Sequence, residues 1–310
     1  TYFGFNMDDA VVGGYEEARC KLRQAIAIAI DTEERIQIFL NGRGIPASSP
    51  IPPGIFGYEE GREGINPLTH DWDPVLGAPR RKPLDEARRL LAEAGYPGGI
   101  GPDGKQLTIA FDSSWSQSES QNILVWMREQ LAKIGVNLEI RTTDYNRFQE
   151  KIHSGNFQMF PWGWNADYPD PENFLFLLYG PNGRSHNHGP NSSNYARAEY
   201  DKRFREMEAM PNGPERLGII RELTRLLQHD APWVGAYHPV EFVLSHAWRG
   251  ASKPHLMANN TLKYVSTNPA IRARLRREWN RPAWVPVLAA LGGILVLSAW
   301  SLLRSRKRAA

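Results

Sequence analysis

The chain is 310 residues long, with 37 Lys or Arg against 34 Asp or Glu and a net charge of +3. That charge is unevenly spread: nine Lys or Arg and one Glu lie between Pro269 and Ala310, a net of +8, which leaves residues 1–268 at −5. A mildly acidic folded part lacks the basic face that nucleic-acid binding needs, so no nucleic-acid partner is expected.

Thr1 is not Met, and no basic or long apolar leader follows it. Tyr2 to Met7 reads as a strand already under way, so a fragment lacking its first part and any export signal is expected. Leu22, Ala25, Ile26, Ala29 and Ile30 recur at helical spacing and predict a helix over Tyr15 to Ile30. Cys20 lies within it. As the single cysteine it makes no internal disulfide and suits a buried, unreactive thiol, and no Cys/His spacing matches a zinc site. A second helix is predicted over Glu33 to Leu40, with Thr32 as N-cap and Asn41-Gly42 as the stop. Ile45 to Pro83 is rich in Pro and Gly and has no period. It is long for a loop, so it wraps a surface or shapes a pocket.

Leu84, Ala87, Leu90, Leu91 and Ala94 mark a third helix closed by Gly95, and Gly98 to Gly104 is a turn cluster. A regular alternation follows: strand Leu107 to Phe111, helix Glu119 to Ile134, strand Val136 to Arg141, helix Tyr145 to His153, strand Phe157 to Trp162. Gly135 and Gly155 end the two helices. This order predicts a βαβαβ unit on a parallel sheet, hence an α/β fold. Helices are also predicted over Ala198 to Met210 and Pro214 to His229. Trp233 to Leu244 is apolar and β-prone, and 245–268 is irregular. Ala270 to Trp279 is a short Arg-rich helix.

From Ala283 to Leu303 there are 21 residues without a charge. As a helix they cover roughly 30 Å, the thickness of a bilayer's hydrocarbon core. Trp284 and Trp300 sit near the ends, where indoles favour the interface, and RSRKR follows. Residues 283–303 are therefore read as a membrane span, with 269–282 a basic juxtamembrane segment and 304–310 a basic tail. Five Arg before the span and four Lys or Arg after it leave its direction open on charge alone.

Parallel α/β sheets bind ligands beyond the carboxyl ends of their strands. The last strand of the βαβαβ unit runs into Trp162-Gly163-Trp164-Asn165-Ala166-Asp167-Tyr168-Pro169-Asp170-Pro171. Two indoles, an amide, a phenol and two carboxylates suit a ligand with an apolar body and a cationic end. A structural role competes: tryptophans after a strand are often core, and Asp170 before Pro171 fits a helix cap with Pro at N1. Asp167 has no such structural role in the pattern.

At these residues the chain resembles a known family. GWNADYPDPENFLFLLYG (from Gly163) is similar to the signature of the extracytoplasmic solute-binding proteins of peptide ABC importers, the oligopeptide/dipeptide-binding family 5. KLRQAIAIAID (from Lys21) with NGRGIPASSPIPPG, LDEARRLLAEAGYP (from Leu84) and DAPWVGAYHP (from Asp230) resemble further stretches, in the family's order over residues 1–265. The resemblance implies a type II periplasmic-binding fold, with two lobes closing over a ligand. On it, 1–14 is a crossing strand from the first lobe, 15–238 the C-terminal lobe and 239–268 the return into the first lobe, most of which is missing. It implies that Asp167 pairs with a peptide's α-amino group and that Trp164 and Asn165 lie along the ligand backbone. Trp162, Tyr168 and Tyr237 are further candidates for the cleft. No cofactor and no catalytic residue is implied. The partners are a peptide or other small solute, an ABC permease and, through 283–303, membrane lipid. The place is the outer face of the cytoplasmic membrane. A C-terminal span is a less usual anchor for the family, which also includes binders of nickel complexes and sugars.

Other classes have less behind them. A membrane-tethered hydrolase finds no G-x-S-x-G and no H-E-x-x-H. His186 and His188 in SHNHG offer metal ligands but more often form a solvated loop. A signalling receptor would need more than the seven residues of 304–310.

Overall fold

The computed structural model describes residues 1–250 and 265–309. They fall into two units, Thr1–Phe242 and Val243–Ala310. Part of the irregular 245–268 stretch, and of the 239–268 return, lies outside the described residues.

The first unit runs β1 (Tyr2–Phe5), α1 (Glu17–Ala29), α2 (Thr32–Leu40), β2 (Gly44–Pro46), β3 (His70–Asp73), β4 (Ala78–Arg81), α3 (Leu84–Glu93), β5 (Thr108–Ser113), α4 (Ser118–Ala132), β6 (Asn137–Thr142), α5 (Tyr145–Ser154) and β7 (Met159–Trp162). It continues with α6 (Glu172–Leu175), α7 (Arg184–Asn187), α8 (Ala198–Glu208), α9 (Pro214–Asp230), β8 (Trp233–Gly235) and β9 (Tyr237–Pro239). The predicted helices are all present within a few residues at their ends.

The main sheet has the order β6-β5-β7-β1-β8. As predicted, β5 is parallel to both β6 and β7. The sheet as a whole is mixed, because β1 lies antiparallel between β7 and β8. That pairing joins Phe3 to Pro161 and to Val234, and partners so far apart in sequence leave no local period to read. One core lies around α1, α3, α4 and the β5/β6 side of the sheet, from Leu22 and Ile26 to Phe111 and Met127. A second joins α8 and α9 through Tyr195, Tyr200, Phe204 and Leu223. A small aromatic one, Tyr2, Phe148, Phe157 and Phe160, lies beneath the end of β7.

Two local expectations are corrected. Asp31, not Thr32, caps α2: its side-chain oxygen accepts the Glu34 N–H at 2.9 Å, while Thr32 is buried as the first helical residue. Asp31-Thr32 offers two capping side chains in succession, and burial of Thr32 decides between them. The Ile45 to Pro83 segment is not all loop. It holds the hairpin β3/β4, whose turn is built by Asp73 accepting the N–H groups of Val75 and Leu76 and by Gly77 at φ +61°. Its other residues do shape a pocket: Ala47, Ser48, Pro50, Asn66 and Leu68 line a cavity of about 70 Å³.

Gly135, which ends α4, is needed for space as well as for its φ of +82°: a Cβ there would lie 2.3 Å from the Gly98 carbonyl oxygen. Cys20 is fully buried, and burial pushes its thiol up.

In the second unit, α10 (Pro269–Trp279) starts on an Asn268 cap to the Ile271 N–H at 3.0 Å. It is followed by α11 (Trp284–Ala309). Between Pro269 and Ser301 an 18-residue window with mean hydropathy 1.9 and no buried residue is long and apolar enough to cross a membrane by length and composition.

Candidate functional site

The site begins with how β5 and β7 part. They register at Phe111–Met159 and nowhere further along, so their carboxyl ends separate. The chain leaves β5 for β6 on one side and returns to β7 on the other, which makes this gap the switch point of the parallel unit. A cavity of about 400 Å³ opens there. Its walls include Arg35 from α2, Trp115 just beyond β5, Tyr145 and Phe148 from α5, Trp162 at the end of β7 and Tyr237 from β9. Trp162 packs on Phe148, with ring centroids 5.4 Å apart, and on Phe160 at 6.2 Å. Arg184 covers its face at 5.6 Å. Trp115 is fixed against Phe3 and Phe111. The walls are thus mostly aromatic surfaces, and among the described residues they carry a single cationic side chain.

That cation is Arg35, only 6% exposed. Its guanidinium lies over the rings of Phe3 at 5.0 Å, Tyr237 at 5.1 Å and Trp115 at 5.7 Å. Burial holds its pKa below the ordinary value while Tyr237 offsets part of that; an arginine stays charged all the same.

The loop after β7 is organised by a buried amide, Asn173, 1% exposed. Its side-chain oxygen accepts the Trp164 indole N–H at 3.1 Å and the Asp167 backbone N–H at 2.9 Å. Its amide nitrogen reaches the Asp167 carboxylate at 3.5 Å. Trp164 meets Phe176 edge-on at 5.4 Å and lines the 70 Å³ cavity together with Trp233 and His238. Burial, with the Thr1 amino group nearby, pushes the His238 imidazole down to about 4.

The six candidates therefore separate. Trp162 and Tyr237 line the larger cleft, and Trp164 lines the smaller cavity. Asn165, Asp167 and Tyr168 are exposed on the loop between β7 and α6, where Tyr168 donates to the Glu172 carboxylate. Asp170 does cap: it accepts the Glu172 N–H at 2.9 Å. It also takes the buried Arg216 guanidinium through both oxygens, at 2.8 and 2.7 Å. Burial works against its charged form, but Arg216 and the cap hold its carboxyl below the usual range.

His186 pairs with Asp8 at 2.8 Å, and His188 sits at φ +58° with its ring 5.6 Å from that of His153. Cys20, His229 and Asp230 also lie within ligand range of one another. The buried Asp230 is already held there by Tyr195 at 2.8 Å and by both contacts from Arg197, which leaves the trio a packing cluster.

Arg35, Trp115, Tyr145 and Asn173 were not singled out from the sequence. Arg35 had a signal: it shares a helical face with Thr32, Ile36 and Phe39, where a charge has no reason to be unless something needs it.

The family model for bacterial extracellular solute-binding proteins, family 5 (middle region), matches residues 1–186. The chain belongs to this family. Heme-binding protein A of Haemophilus influenzae is 26% identical over 244 residues, 78% of this chain and 40% of that protein. The periplasmic oligopeptide-binding protein OppA of Salmonella typhimurium is 25% identical over 236 residues, 74% and 38% of the two chains. The fold is that of a type II periplasmic-binding protein. The ABC transporter-associated periplasmic binding protein DppA of Helicobacter pylori, solved with the peptide STSA, superposes with a TM-score of 0.67 at 23% identity, over 86% of this chain and 46% of that one. The chain thus spans about 40% of the length of the curated relatives it matches.

Proposed function

We propose that this chain serves in the extracytoplasmic solute-binding subunit of an ABC importer and takes oligopeptides or dipeptides rather than acting on them as an enzyme. Residues 15–238 act as one of two lobes that close over the ligand, with 1–14 and 239–268 leading to the other. Closure presents a docking surface to the permease. The observation that carries this reading is the aromatic-walled cleft at the carboxyl ends of β5 and β7, in a chain of family 5. Relatives named as oligopeptide-, dipeptide- and di/tripeptide-binding proteins favour a peptide over a metal complex or a sugar.

In this reading Asp167 meets the peptide's α-amino group, Trp164 and Asn165 follow its backbone, and Trp162, Tyr168 and Tyr237 contact its side chains. Residues 283–303 hold the domain at the outer face of the cytoplasmic membrane, which keeps the local concentration of binding sites near the permease high. The test is titration of the intact protein with Ala-Ala-Ala and its N-acetylated form. Asp167→Ala should weaken the free amine by an amount corresponding to ~2–5 kcal/mol and leave the acetylated peptide unchanged. Equal affinities for the free amine in both proteins would remove Asp167 from the site.

A further inference from the structure

The second unit places Arg272, Arg274, Arg276, Arg277 and Arg281 on or just beyond α10. Arginines on other helices find carboxylates: Arg203 holds Glu206 and Glu222, and Arg89 holds Glu86 and Glu93. On α10 one acid, Glu278, meets Arg274 at 3.9 Å, and among the described residues no other carboxylate pairs with these arginines. Arg272 and Arg276, and Arg274 and Arg277, are like charges one turn apart, which destabilises a helix left to itself. The helix dipole favours Arg276 and Arg277 in the last turn but not Arg272 and Arg274. Insertion does not call for them either. In the direction proposed above they lie on the outer side, opposite to where basic residues guide a span.

The apolar side of α10 is equally specific. Ile271, Leu275 and Trp279 recur every fourth residue and form one stripe along the helix. Ile271 and Leu275 are half-buried. The Trp279 ring lies 5.3 Å from that of Trp248 and 5.6 Å from that of His246, and those two stack at 4.0 Å. The Asn268 N–H donates to the Trp248 carbonyl at 2.8 Å, which fixes Trp248 at the start of α10. Trp284, 62% exposed, opens α11. Only residues 280–282 separate α10 from the uncharged stretch, so the end of α10 stays within about 15 Å of it. Beside a span, that reach keeps the indoles and guanidinium groups near the headgroup layer.

We propose that α10 is an interfacial helix whose arginines bind the phosphates of anionic phospholipids in the membrane that α11 crosses. The inference rests on the reading of 283–303 as a span and deepens it. A guanidinium meets a phosphate through paired N–H···O bonds and sheds water more readily than an ammonium does. The lipid phosphates stand in for the missing carboxylates and relieve the repulsion between Arg272 and Arg276. Trp248, Trp279 and Trp284 supply rings that favour the same layer. The anchor thereby gains a preference among lipids: it settles in an anionic patch of the bilayer rather than a zwitterionic one.

The experiment places the intact protein in nanodiscs of phosphatidylcholine, with or without a quarter of phosphatidylglycerol, and follows backbone hydrogen exchange along α10. Exchange in α10 should be at least about tenfold slower in the anionic discs, and the difference should shrink at high salt. In the variant Arg272→Gln/Arg274→Gln/Arg276→Gln/Arg277→Gln the two kinds of disc should give the same rates. The variant Arg272→Lys/Arg274→Lys/Arg276→Lys/Arg277→Lys should keep part of the difference. Unchanged exchange in α1 and α4 shows that each variant is folded. Equal α10 rates in both discs for the unaltered protein, with α11 protected in both, would overturn the lipid assignment and leave the span intact. So would slowing that appears in native membranes but not in the phosphatidylglycerol discs, which would give the arginines to an acidic protein surface instead. Fast exchange of α11 in both discs would overturn the span and this inference together.

Discussion

Asn173 accepts the backbone N–H of Asp167 at 2.9 Å through its side-chain oxygen, and the same oxygen accepts the Trp164 indole at 3.1 Å. One buried amide therefore sets the path of the loop that follows β7. Asn173→Ala removes an acceptor from two part-buried donors, which costs about 1–3 kcal/mol. In a domain of this size Tm should fall by roughly 2–4 °C for each kcal/mol. Trp164 should become more mobile, seen as a lowered tryptophan anisotropy. An unchanged Tm and anisotropy would mean that the loop is held by something else.

The Asp170–Arg216 pair is a second support, at the other end of that loop. Arg216 is 2% exposed, so Asp170→Ala leaves a buried guanidinium without its carboxylate, held only by the Met207 carbonyl and the Asn212 side-chain oxygen. The expected loss is about 3 kcal/mol, the low end for a broken buried pair, because the Asp170 side chain keeps 30% exposure. Arg216→Met added to Asp170→Ala should recover part of it. Chemical denaturation of the single and double variants checks this; a double variant less stable than the single would contradict it.

His238 gives the first unit an acid-sensitive point. Its imidazole, lowered from 6.5 to about 4, takes up a proton in the unfolded chain before it does in the folded one. The stability this lends is complete above about pH 6.5 and is lost as pH falls toward 4. One pKa unit corresponds to about 1.4 kcal/mol, and partial exposure discounts the total to about 1–2 kcal/mol. Glu33 separates cleanly. Burial opposes its charge, but His70 and Arg81 hold it at about 2, so its contribution is lost only below its unfolded value of 4.5. Between pH 4.5 and 6.5 the slope of Tm should flatten in His238→Gln. An identical slope would show that the imidazole is not the source.

Deleting 283–310 should move the protein from the membrane pellet to the supernatant after alkaline extraction, if this segment is the anchor. Retention in the pellet would contradict the proposed tether.

The longer helices were legible from their periods, several with a stop as well, whereas the one-turn α6 and α7 were not: α3 repeats Ala87, Leu90 and Leu91 before Gly95, and α5 ends on Gly155 in the left-handed conformation. The parallel part of the sheet followed from the alternation of elements. The antiparallel place of β1 did not, because Phe3 finds Pro161 and Val234 only in three dimensions. In the site, the motif led to the loop but not to what holds it. Asn173 looks like any polar residue after a proline, and its two acceptor bonds exist only once α6 has formed. Arg35 lies far from the motif in sequence and enters the cleft from another helix, so its charge becomes visible there only when the cleft closes around it.

The central claim is that the cleft between β5 and β7 holds a peptide. It is tested most directly by purifying the intact protein from its native membrane without added ligand, denaturing it and identifying the released solutes by mass spectrometry. The account predicts short peptides with free amino termini, absent from a preparation of Asp167→Ala. Recovery of a single non-peptide solute in their place, at equal amounts from both proteins, would contradict it.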